Sequence, residues 1–403
     1  MKKSISRRKF IGISTVAGIA ATLPLSGCKK TEVTSSDYDA QAIVVGSGFG
    51  GSVAALRLCQ DGIKTIMLEM GKQYTVTPNS NVFATTLSPD GRACWLKTKT
   101  IAPVVTFQFD IPKYVGVLDR VDFPTSFMRI FRGTCLGGGS VVYGAMLPYA
   151  RPEFWEEYFP YVPYNEMISK WYPKVKSVLN FSTVPDNILE DDAFQFARVG
   201  LKQCEKAGMQ KVMLNVGVNF DTIKGELKGT QKKSAMSTEL LYGSNNGYKN
   251  SLDRNYIPAA SATGNLTIKT LHKVDYVKHL PNEGYELTVH EINEQGDTIA
   301  IKKFTCKHLF VNAGVVGTMQ ILLKSKHMGG LANLNDEVGK HWGNNGNIMA
   351  MRTNISEDVG AKQCIVPVSA YGNLDNPIAP LLAEQTPFPI GMELRQLLTL
   401  AIT

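Results

Sequence analysis

Short apolar runs that end in glycine turns recur along this chain, and two of them frame its most informative segment. Residues 41–45 form an apolar run that predicts a buried strand. After a glycine-rich turn, residues 52–58 carry helix-forming and apolar side chains at helical spacing, and residues 65–68 form a second apolar run. The pattern predicts a strand, a turn, a helix and a strand in that order, which is typical of α/β folds.

The turn carries glycines at the spacing of a dinucleotide-binding fingerprint. Gly46 permits a tight turn, Gly48 lets the backbone approach a diphosphate, and Gly51 allows the helix to pack closely on the strand. The helix N-terminus adds unpaired N–H groups and the positive end of the helix dipole. Glu69 follows the second strand, 18 residues after Gly51. A carboxylate at this distance accepts hydrogen bonds from a ribose, and the alternative is a solvated carboxylate at a strand end.

Two further glycine elements bear on which dinucleotide binds. Residues 133–140 contain three successive glycines, which let the backbone lie flat against a ligand; a flexible loop is the alternative. Residues 309–318 predict an apolar strand, a glycine turn and a helix, which either touch the cofactor or support its domain. Three dispersed elements suit a long dinucleotide such as FAD better than a single turn would.

The charge and the cysteines exclude two classes of function. The 403-residue chain has a formal net charge of +8, but five of its basic side chains lie in residues 1–27, which hold no acidic ones. The remainder carries about +3, too little for a surface that tracks phosphates, so no nucleic-acid partner is expected. The six cysteines after Cys28 form no C-x-x-C pair and match no zinc-site spacing, so no metal is expected.

The first 28 residues predict export and attachment to a membrane surface. Arg7 and Arg8 precede an interrupted apolar stretch over residues 10–26, as in a twin-arginine signal. The stretch leads into Cys28, in a sequence that resembles a bacterial lipobox, where the cysteine is acylated. We therefore expect a periplasmic or cell-surface protein with a lipid anchor and with residues 29–39 as a tether. A cleaved signal with a chance cysteine is the alternative.

Several segments together resemble one known family, the glucose–methanol–choline (GMC) oxidoreductases, and within it the bacterial cholesterol oxidase branch. The resemblance extends from about residue 40 to residue 403. Beyond the first glycine motif it rests on residues 102–103, 115–121, 137–140, 249–253, 256, 270–272, 342–343 and 345–349.

The resemblance implies an α/β fold with two domains. A Rossmann-like FAD-binding domain would comprise residues 40–75 and 245–345. A sterol-binding domain with an antiparallel sheet and helices would comprise residues 76–244 and 346–403. Residues 74–95 resemble the loops that cover the sterol.

The resemblance also implies non-covalent FAD and assigns contacts to it. Phe49 and Gly50 correspond to the pair beside the diphosphate, Glu69 to the ribose ligand, and Val274 to a backbone contact with the adenine. The other implied contacts lie in the second glycine element and just after it: Gly138, Gly139, Ser140, Tyr143, Gly144 and Met146. Tyr143 departs from the family, which commonly has asparagine there, and a larger ring can change the polarity at the flavin or the access of O2.

The implied reaction is oxidation of a sterol 3β-hydroxyl group to a ketone with O2 as acceptor, followed by movement of the ring double bond from Δ5 to Δ4. The second step suits a carboxylate in a dry apolar cavity, because desolvation raises its pKa and makes it a stronger base. Glu384, which has apolar neighbours and nearby prolines, corresponds to the isomerising glutamate of the family. By itself, Glu384 would be interpreted as a surface charge.

In the family, a histidine and an asparagine near the C-terminus complete the site, and no histidine follows Glu384 in this sequence. Loss of a positioned general base is expected to slow alcohol oxidation by about 10²–10⁴-fold. Two alternatives therefore stand beside the oxidase. One is a non-catalytic remnant that binds flavin or lipid, and the other is a dehydrogenase of the same family that passes electrons to a membrane carrier.

Overall fold

The computed structural model describes residues 38–86, 88–100, 108–123, 128–281, 283–343, 356–360, 362–373, 381–385 and 387. The predicted export signal, Cys28 and most of the predicted tether lie outside the described residues. Residues 102–103 and 345–349, which contribute to the family resemblance, lie outside them as well. Among the helices that are described, none is both long and apolar enough to cross a membrane.

A mixed sheet carries the first glycine turn. In chain order, the strands of the described residues are β1 Ala40–Val45, β2 Thr65–Leu68, β3 Leu118–Asp122, β4 Arg129–Gly133, β5 Gln210–Met213, β6 Leu266–Lys269, β7 His272–His279, β8 Tyr285–Ile292, β9 Thr298–Val311, β10 Ser369–Asn373 and β11 Leu381–Gln385. The larger sheet has the order β6-β2-β1-β9-β8-β7. It is parallel from β6 to β9 and antiparallel from β9 to β7. The long strand β9 belongs to both parts, since its beginning pairs with β8 and its end with β1.

Helices cover this sheet and build much of the remaining structure. In the described part of the chain they are α1 Phe49–Gln60, α2 Gly139–Val142, α3 Pro152–Tyr158, α4 Tyr164–Glu166, α5 Tyr172–Leu179, α6 Asp186–Leu189, α7 Gln195–Lys206, α8 Phe220–Leu227, α9 Tyr256–Ser261 and α10 Gly314–His327. A π-helical turn joins α4 to α5. Short 3₁₀ turns occur at Asp192–Phe194, Ala235–Ser237 and Leu252–Arg254.

The central parallel strands β1 and β2 are mostly apolar and buried because both of their faces are covered. Ile43, Val44 and Met67 are completely buried. Helix α1 packs against β1, β2 and α9, and it buries Ala55 and Leu56 in the contact. This arrangement holds the turn between β1 and α1 at the carboxyl end of the parallel strands, where ligands bind in open α/β sheets.

A smaller antiparallel sheet, in the order β11-β10-β5, lies in the rest of the described chain, and α7 packs on it. Its core includes Phe194, Val368 and Ala370, which are buried. The α/β fold class predicted from the sequence is thereby confirmed, with a Rossmann-like sheet and an antiparallel sheet with helices. The exact domain boundaries stay a prediction.

The segment predicted to cover a sterol, residues 74–95, is hydrogen-bonded to the side chain of Asn245. The Asn245 side chain accepts a hydrogen bond from the Phe83 backbone N–H at 2.9 Å and donates one to the Phe83 carbonyl oxygen at 3.2 Å. Phe83 is itself buried and packs against Tyr74 with ring centroids 4.9 Å apart. The middle of this loop is therefore anchored to the fold.

Candidate cofactor site

The first glycine turn needs glycine at two positions for packing. Gly46 has a φ of 91°, a left-handed conformation that side chains disfavour, and its N–H donates to the Leu68 carbonyl oxygen at 2.8 Å. A Cβ on Gly46 would overlap the backbone of Asn312, just after β9. A Cβ on Gly51 would overlap the Gly46 carbonyl group. The turn, α1 and the end of β9 thus meet backbone to backbone.

Gly48 and Gly139 lie where a side chain would meet open space. Apart from the chain neighbours and, for Gly139, the backbone of its own helix, no atom of the described residues lies within 4 Å of the position that a Cβ would take on either residue. The two glycine segments face each other, because a Cβ on Gly138 would come within 2.9 Å of the Gly48 Cα atom. Gly48 caps α1 without a side-chain hydrogen bond, and the first turn of α1 has no acidic residue. This open space at Gly48 and Gly139, the cleft between the two glycine segments, lies beside the backbone N–H groups of the first turn of α1, an arrangement that fits a diphosphate.

Glu69 is buried beneath this cleft and connects its two walls. One carboxylate oxygen accepts hydrogen bonds from the Ser47 N–H at 3.0 Å and the Ser47 hydroxyl at 2.6 Å, and the other accepts from the Gly71 N–H at 2.8 Å. The Ser47 hydroxyl oxygen in turn accepts from the Gly137 N–H at 3.0 Å. Burial raises the pKa of the Glu69 carboxyl group above its usual value, and these hydrogen bonds offset only part of that rise.

These contacts exclude the solvated alternative for Glu69, since the residue is only 6% exposed. They also reveal a role that the sequence did not, namely that Glu69 fixes both glycine segments through Ser47. The binding of a ribose by Glu69 stays a prediction. The signal for Ser47 was its place between Gly46 and Gly48, where a small hydroxyl side chain can turn inward.

The predicted adenine contact lies beside Glu69. The backbone N–H of His272, the first residue of β7, donates to the Glu69 carbonyl oxygen at 2.9 Å. Val274 follows two residues later, is buried, and pairs with Val289 in β8. The start of β7 therefore meets the end of β2, which brings Val274 to the region that the sequence assigned to the adenosine half of the cofactor.

Ser140 directs its side chain into the protein. The hydroxyl donates to the Gly137 carbonyl oxygen at 2.7 Å and accepts from the Leu252 N–H at 3.0 Å. Ser140 is fully buried. Its side chain therefore closes the second glycine loop, and a cofactor contact from Ser140 would have to involve its backbone.

Residues 139–146, which comprise α2 and the four residues after it, form a strip that bridges to Val216. Tyr143 donates its N–H to the Gly139 carbonyl oxygen at 2.9 Å, and its ring meets the exposed Phe49 ring edge to face, with centroids 5.6 Å apart. Met146 forms an antiparallel bridge with Val216. Four predicted flavin contacts lie in this strip, Gly139, Tyr143, Gly144 and Met146, and one of them, Tyr143, packs against Phe49 at the start of α1.

The Tyr143 hydroxyl group is buried and has no hydrogen-bond partner among the described residues. Burial raises the pKa of Tyr143, so the phenol stays neutral. The hydroxyl points towards Gly217, where an added Cβ would lie 2.8 Å from it. The tyrosine that departs from the family pattern is accommodated because a glycine lies opposite.

Glu384 lies on β11 of the smaller antiparallel sheet, opposite Ala370 of β10. The glycine segments of the candidate site belong to other elements. The sequence predicted a dry cavity around it, but among the described residues Glu384 is exposed. Nearby protein atoms still desolvate the carboxylate in part, which raises its pKa. Its neighbour Gln385 is buried and borders a small cavity between α7 and residues 363–368. The isomerising role of Glu384 stays a prediction.

Two family models and two curated cholesterol oxidases match this chain. The family model "GMC oxidoreductase" matches residues 40–342, and "GMC oxidoreductase, C-terminal" matches residues 345–403. The chain is 24% identical over 355 residues to a cholesterol oxidase of Acinetobacter baumannii, which covers 82% of this chain and 57% of that protein. It is 25% identical over 351 residues to a cholesterol oxidase of Mycobacterium tuberculosis, covering 81% and 53%.

Among solved structures, a pyridoxine 4-oxidase from Mesorbium loti aligns with a TM-score of 0.44 and 14% identity, covering 71% of this chain and 51% of that one. A fungal aryl-alcohol oxidase aligns with a TM-score of 0.41 and 14% identity, covering 70% and 47%. The chain spans about half the length of the curated cholesterol oxidases that it matches.

Proposed function

This chain belongs to the GMC oxidoreductase family, and from that membership we propose that it binds FAD and oxidises the 3β-hydroxyl group of a cholesterol-like sterol with O2 as acceptor. The family models confirm the resemblance found in the sequence. The observation that carries the proposal is the cleft between the two glycine segments, where Gly48 and Gly139 leave open space beside the first turn of α1.

The residues of the cleft suit the parts of FAD in order. Backbone N–H groups at Phe49 and Gly50 would hold the diphosphate, and Glu69 would meet the ribose while it fixes Ser47. The strip from Gly139 to Met146 would lie along the flavin ring. When bound, FAD would accept the hydride that leaves the sterol C3 atom and would pass two electrons to O2, which gives H2O2 with two protons; the hydroxyl proton of the sterol would leave to water.

A sterol substrate is supported by the two relatives named cholesterol oxidase. In the isomerisation, the Glu384 carboxylate would take a proton from C4 of the Δ5-3-ketone and return it at C6, which moves the double bond to Δ4 without any net oxidation. Because Glu384 is exposed among the described residues, the bound sterol itself would have to exclude water from the carboxylate.

The test is to purify the 403-residue chain, record its visible spectrum, and assay cholesterol under air with peroxide detection. Isomerisation is assayed separately with the Δ5-3-ketone, by the ultraviolet absorbance of the conjugated product. We expect a flavin spectrum, peroxide formation, and loss of isomerisation in Glu384→Gln by about 10²-fold or more. Glu205→Gln, at an exposed glutamate paired with Lys211, is the matched control and should keep the wild-type rate.

A protein that contains no flavin and binds none when FAD is added would overturn the proposal and support a non-catalytic remnant. Equal isomerisation rates in Glu384→Gln and the control would show that Glu384 is not the isomerising base. That result would not contradict the proposed oxidation.

Tyr143 favours a second candidate, a dehydrogenase of the same family. Its ring packs on Phe49 within the predicted flavin strip, where bulk can hinder the approach of O2. In that case sterol oxidation would proceed with a dye or quinone acceptor and yield little peroxide under air. Tyr143→Asn would then raise peroxide formation.

We further propose that the chain is exported by the twin-arginine route and anchored at a membrane surface through acylated Cys28. The support is the order of the arginine pair, the apolar stretch and the lipobox-like sequence. Cys28→Ala should move the protein from the membrane fraction to the soluble fraction of the exporting cell. Retention of the variant at the membrane would refute the lipid anchor.

A further inference from the structure

Lys249 lies directly behind the second glycine element and is almost completely buried, with 1% exposure. Its ammonium group donates to three backbone carbonyl oxygens. Val141 accepts at 2.7 Å and Tyr143 at 3.2 Å, both at the carboxyl end of α2. Leu240 accepts at 2.6 Å from a loop on the other side. A single side chain therefore joins the end of α2 to the loop at Leu240.

No carboxylate among the described residues accepts a hydrogen bond from Lys249, although buried charges are normally paired. Three titratable groups face it: Cys135, Asp253 and Glu239. Burial raises the pKa values of Cys135 and Asp253, which favours their neutral forms. The Glu239 carboxylate is occupied by the Ser234 hydroxyl and the Asn245 N–H. Burial of Lys249 lowers its own pKa to about 7.

The number of acceptors matches only one protonation state. An ammonium group has three N–H donors, one for each of the three carbonyl oxygens, whereas a neutral amine has two donors and a lone pair. In the neutral form, that lone pair would face a carbonyl oxygen and repel it. The contact to Tyr143 is the longest of the three, so it is the contact that a neutral amine would release.

We propose that Lys249 is a positioning residue, whose ammonium group fixes the strip from Gly139 to Met146 and whose deprotonation releases the carbonyl group of Tyr143. The consequence for the cofactor rests on the proposed function, in which this strip contacts the flavin. On that basis the affinity for FAD falls as the pH rises through the neutral range, because the strip loses one of its two anchors on Lys249.

The experiment uses the 403-residue chain in four forms: wild type, Lys249→Met, Lys249→Arg, and Lys228→Met as a control at an exposed lysine. Lys249→Met keeps the side-chain length without the charge, and Lys249→Arg keeps the charge at every pH tested. The first readout needs no cofactor. It is the amide hydrogen exchange of residues 139–147 at about pH 6 and about pH 8.5, corrected for the intrinsic rates, which lie on either side of the Lys249 pKa.

In wild type and Lys228→Met, protection of residues 139–147 should fall about tenfold from the lower to the higher pH. In Lys249→Met it should be low at both values, and in Lys249→Arg it should be high at both. A protection that does not depend on pH in wild type, or that Lys249→Met leaves unchanged, would overturn the proposal. If Lys249→Met does not fold, wild type and Lys249→Arg still decide the question.

The second readout is the dissociation constant of FAD at the same two pH values. It should rise about tenfold in wild type and stay constant in Lys249→Arg. If no form binds FAD while the exchange pattern appears as expected, the proposed function fails and the positioning by Lys249 stands. If FAD binds and the exchange pattern is absent, the proposed function stands and the role of Lys249 is refuted.

Discussion

Replacing Gly51 by alanine would place a methyl group where the backbone of the first glycine turn already lies. The new Cβ would overlap the Gly46 carbonyl oxygen, and it would come within 2.9 Å of the carbonyl carbon and 3.3 Å of a Val44 methyl group. The obstacle is backbone, which cannot rotate away as a side chain can. Helix α1 would therefore have to move off β1 by about 1 Å, and overpacking of this kind costs about 1–3 kcal/mol.

We take the upper part of that range for Gly51→Ala because the clash involves a carbonyl group. A loss of about 3 kcal/mol corresponds to a fall in Tm of roughly 3–4 °C in a chain of this size. The matched control is Gly48→Ala. Gly48 has a φ of −69°, which alanine adopts readily, and apart from its chain neighbours its Cβ would meet no atom of the described residues within 4 Å. Its Tm without cofactor should equal that of wild type.

The pair separates folding from binding when Tm and FAD affinity are measured on the same preparations. Gly51→Ala should lower both. Gly48→Ala should keep Tm but weaken FAD binding at least about tenfold, equal to about 1.4 kcal/mol, because its methyl group would occupy the space beside the diphosphate. Wild-type affinity in Gly48→Ala would refute the assignment of the cleft, and a wild-type Tm in Gly51→Ala would refute the packing argument.

Three further predictions concern buried charged groups, namely Asp119, Glu226 and Lys249. Arg132→Met should lower the free energy of unfolding by about 2 kcal/mol in chemical denaturation, because its partner Asp119 is buried. The control is Arg120→Met, whose partner Asp122 is exposed, and it should cost no more than about 1 kcal/mol. Glu226→Ala should cost about 3 kcal/mol or more, because this carboxylate accepts hydrogen bonds from three backbone N–H groups and one side-chain amide; no measurable loss would contradict the burial of this network. The pKa of Lys249 is lowered from 10.5 to about 7, so between these pH values the unfolded chain binds more protons than the folded one. As the pH rises through this range, wild type should therefore gain up to about 1.4 kcal/mol of stability per pH unit relative to Lys249→Met. Equal pH dependence of the two proteins would contradict the burial of Lys249.

The sequence predicted the elements around the first glycine turn well because their signals are local. The predicted strand over residues 41–45 is observed as Ala40–Val45, the apolar run over 65–68 as Thr65–Leu68, and the strand over 309–311 as the end of β9. The helix over 52–58 is longer, Phe49–Gln60, since its first turn includes glycines that carry no periodic signal. Apolar spacing and glycine position suffice for such elements.

The remaining features depend on residues that are distant in the sequence. Lys249 belonged to a recognisable motif, but periodicity cannot reveal that its ammonium group meets carbonyl oxygens of Val141 and Leu240. The inward orientation of the Ser140 hydroxyl and the role of Ser47 could not be predicted for a similar reason. A small polar residue in a sequence is equally compatible with exposure to solvent. The exposure of Glu384 differs from the enclosed site that the resemblance implied, because burial is set by tertiary contacts and not by apolar neighbours in the sequence.

The proposed function requires that the cleft between the two glycine segments holds the diphosphate of FAD. The test is equilibrium titration of FAD into the purified 403-residue chain after any bound flavin has been removed, followed by flavin fluorescence, with ADP as competitor. We predict saturable binding of one FAD per chain and displacement of FAD by ADP, because both ligands would place a diphosphate on the first turn of α1. The absence of saturable binding, or binding that ADP does not displace, would contradict the claim.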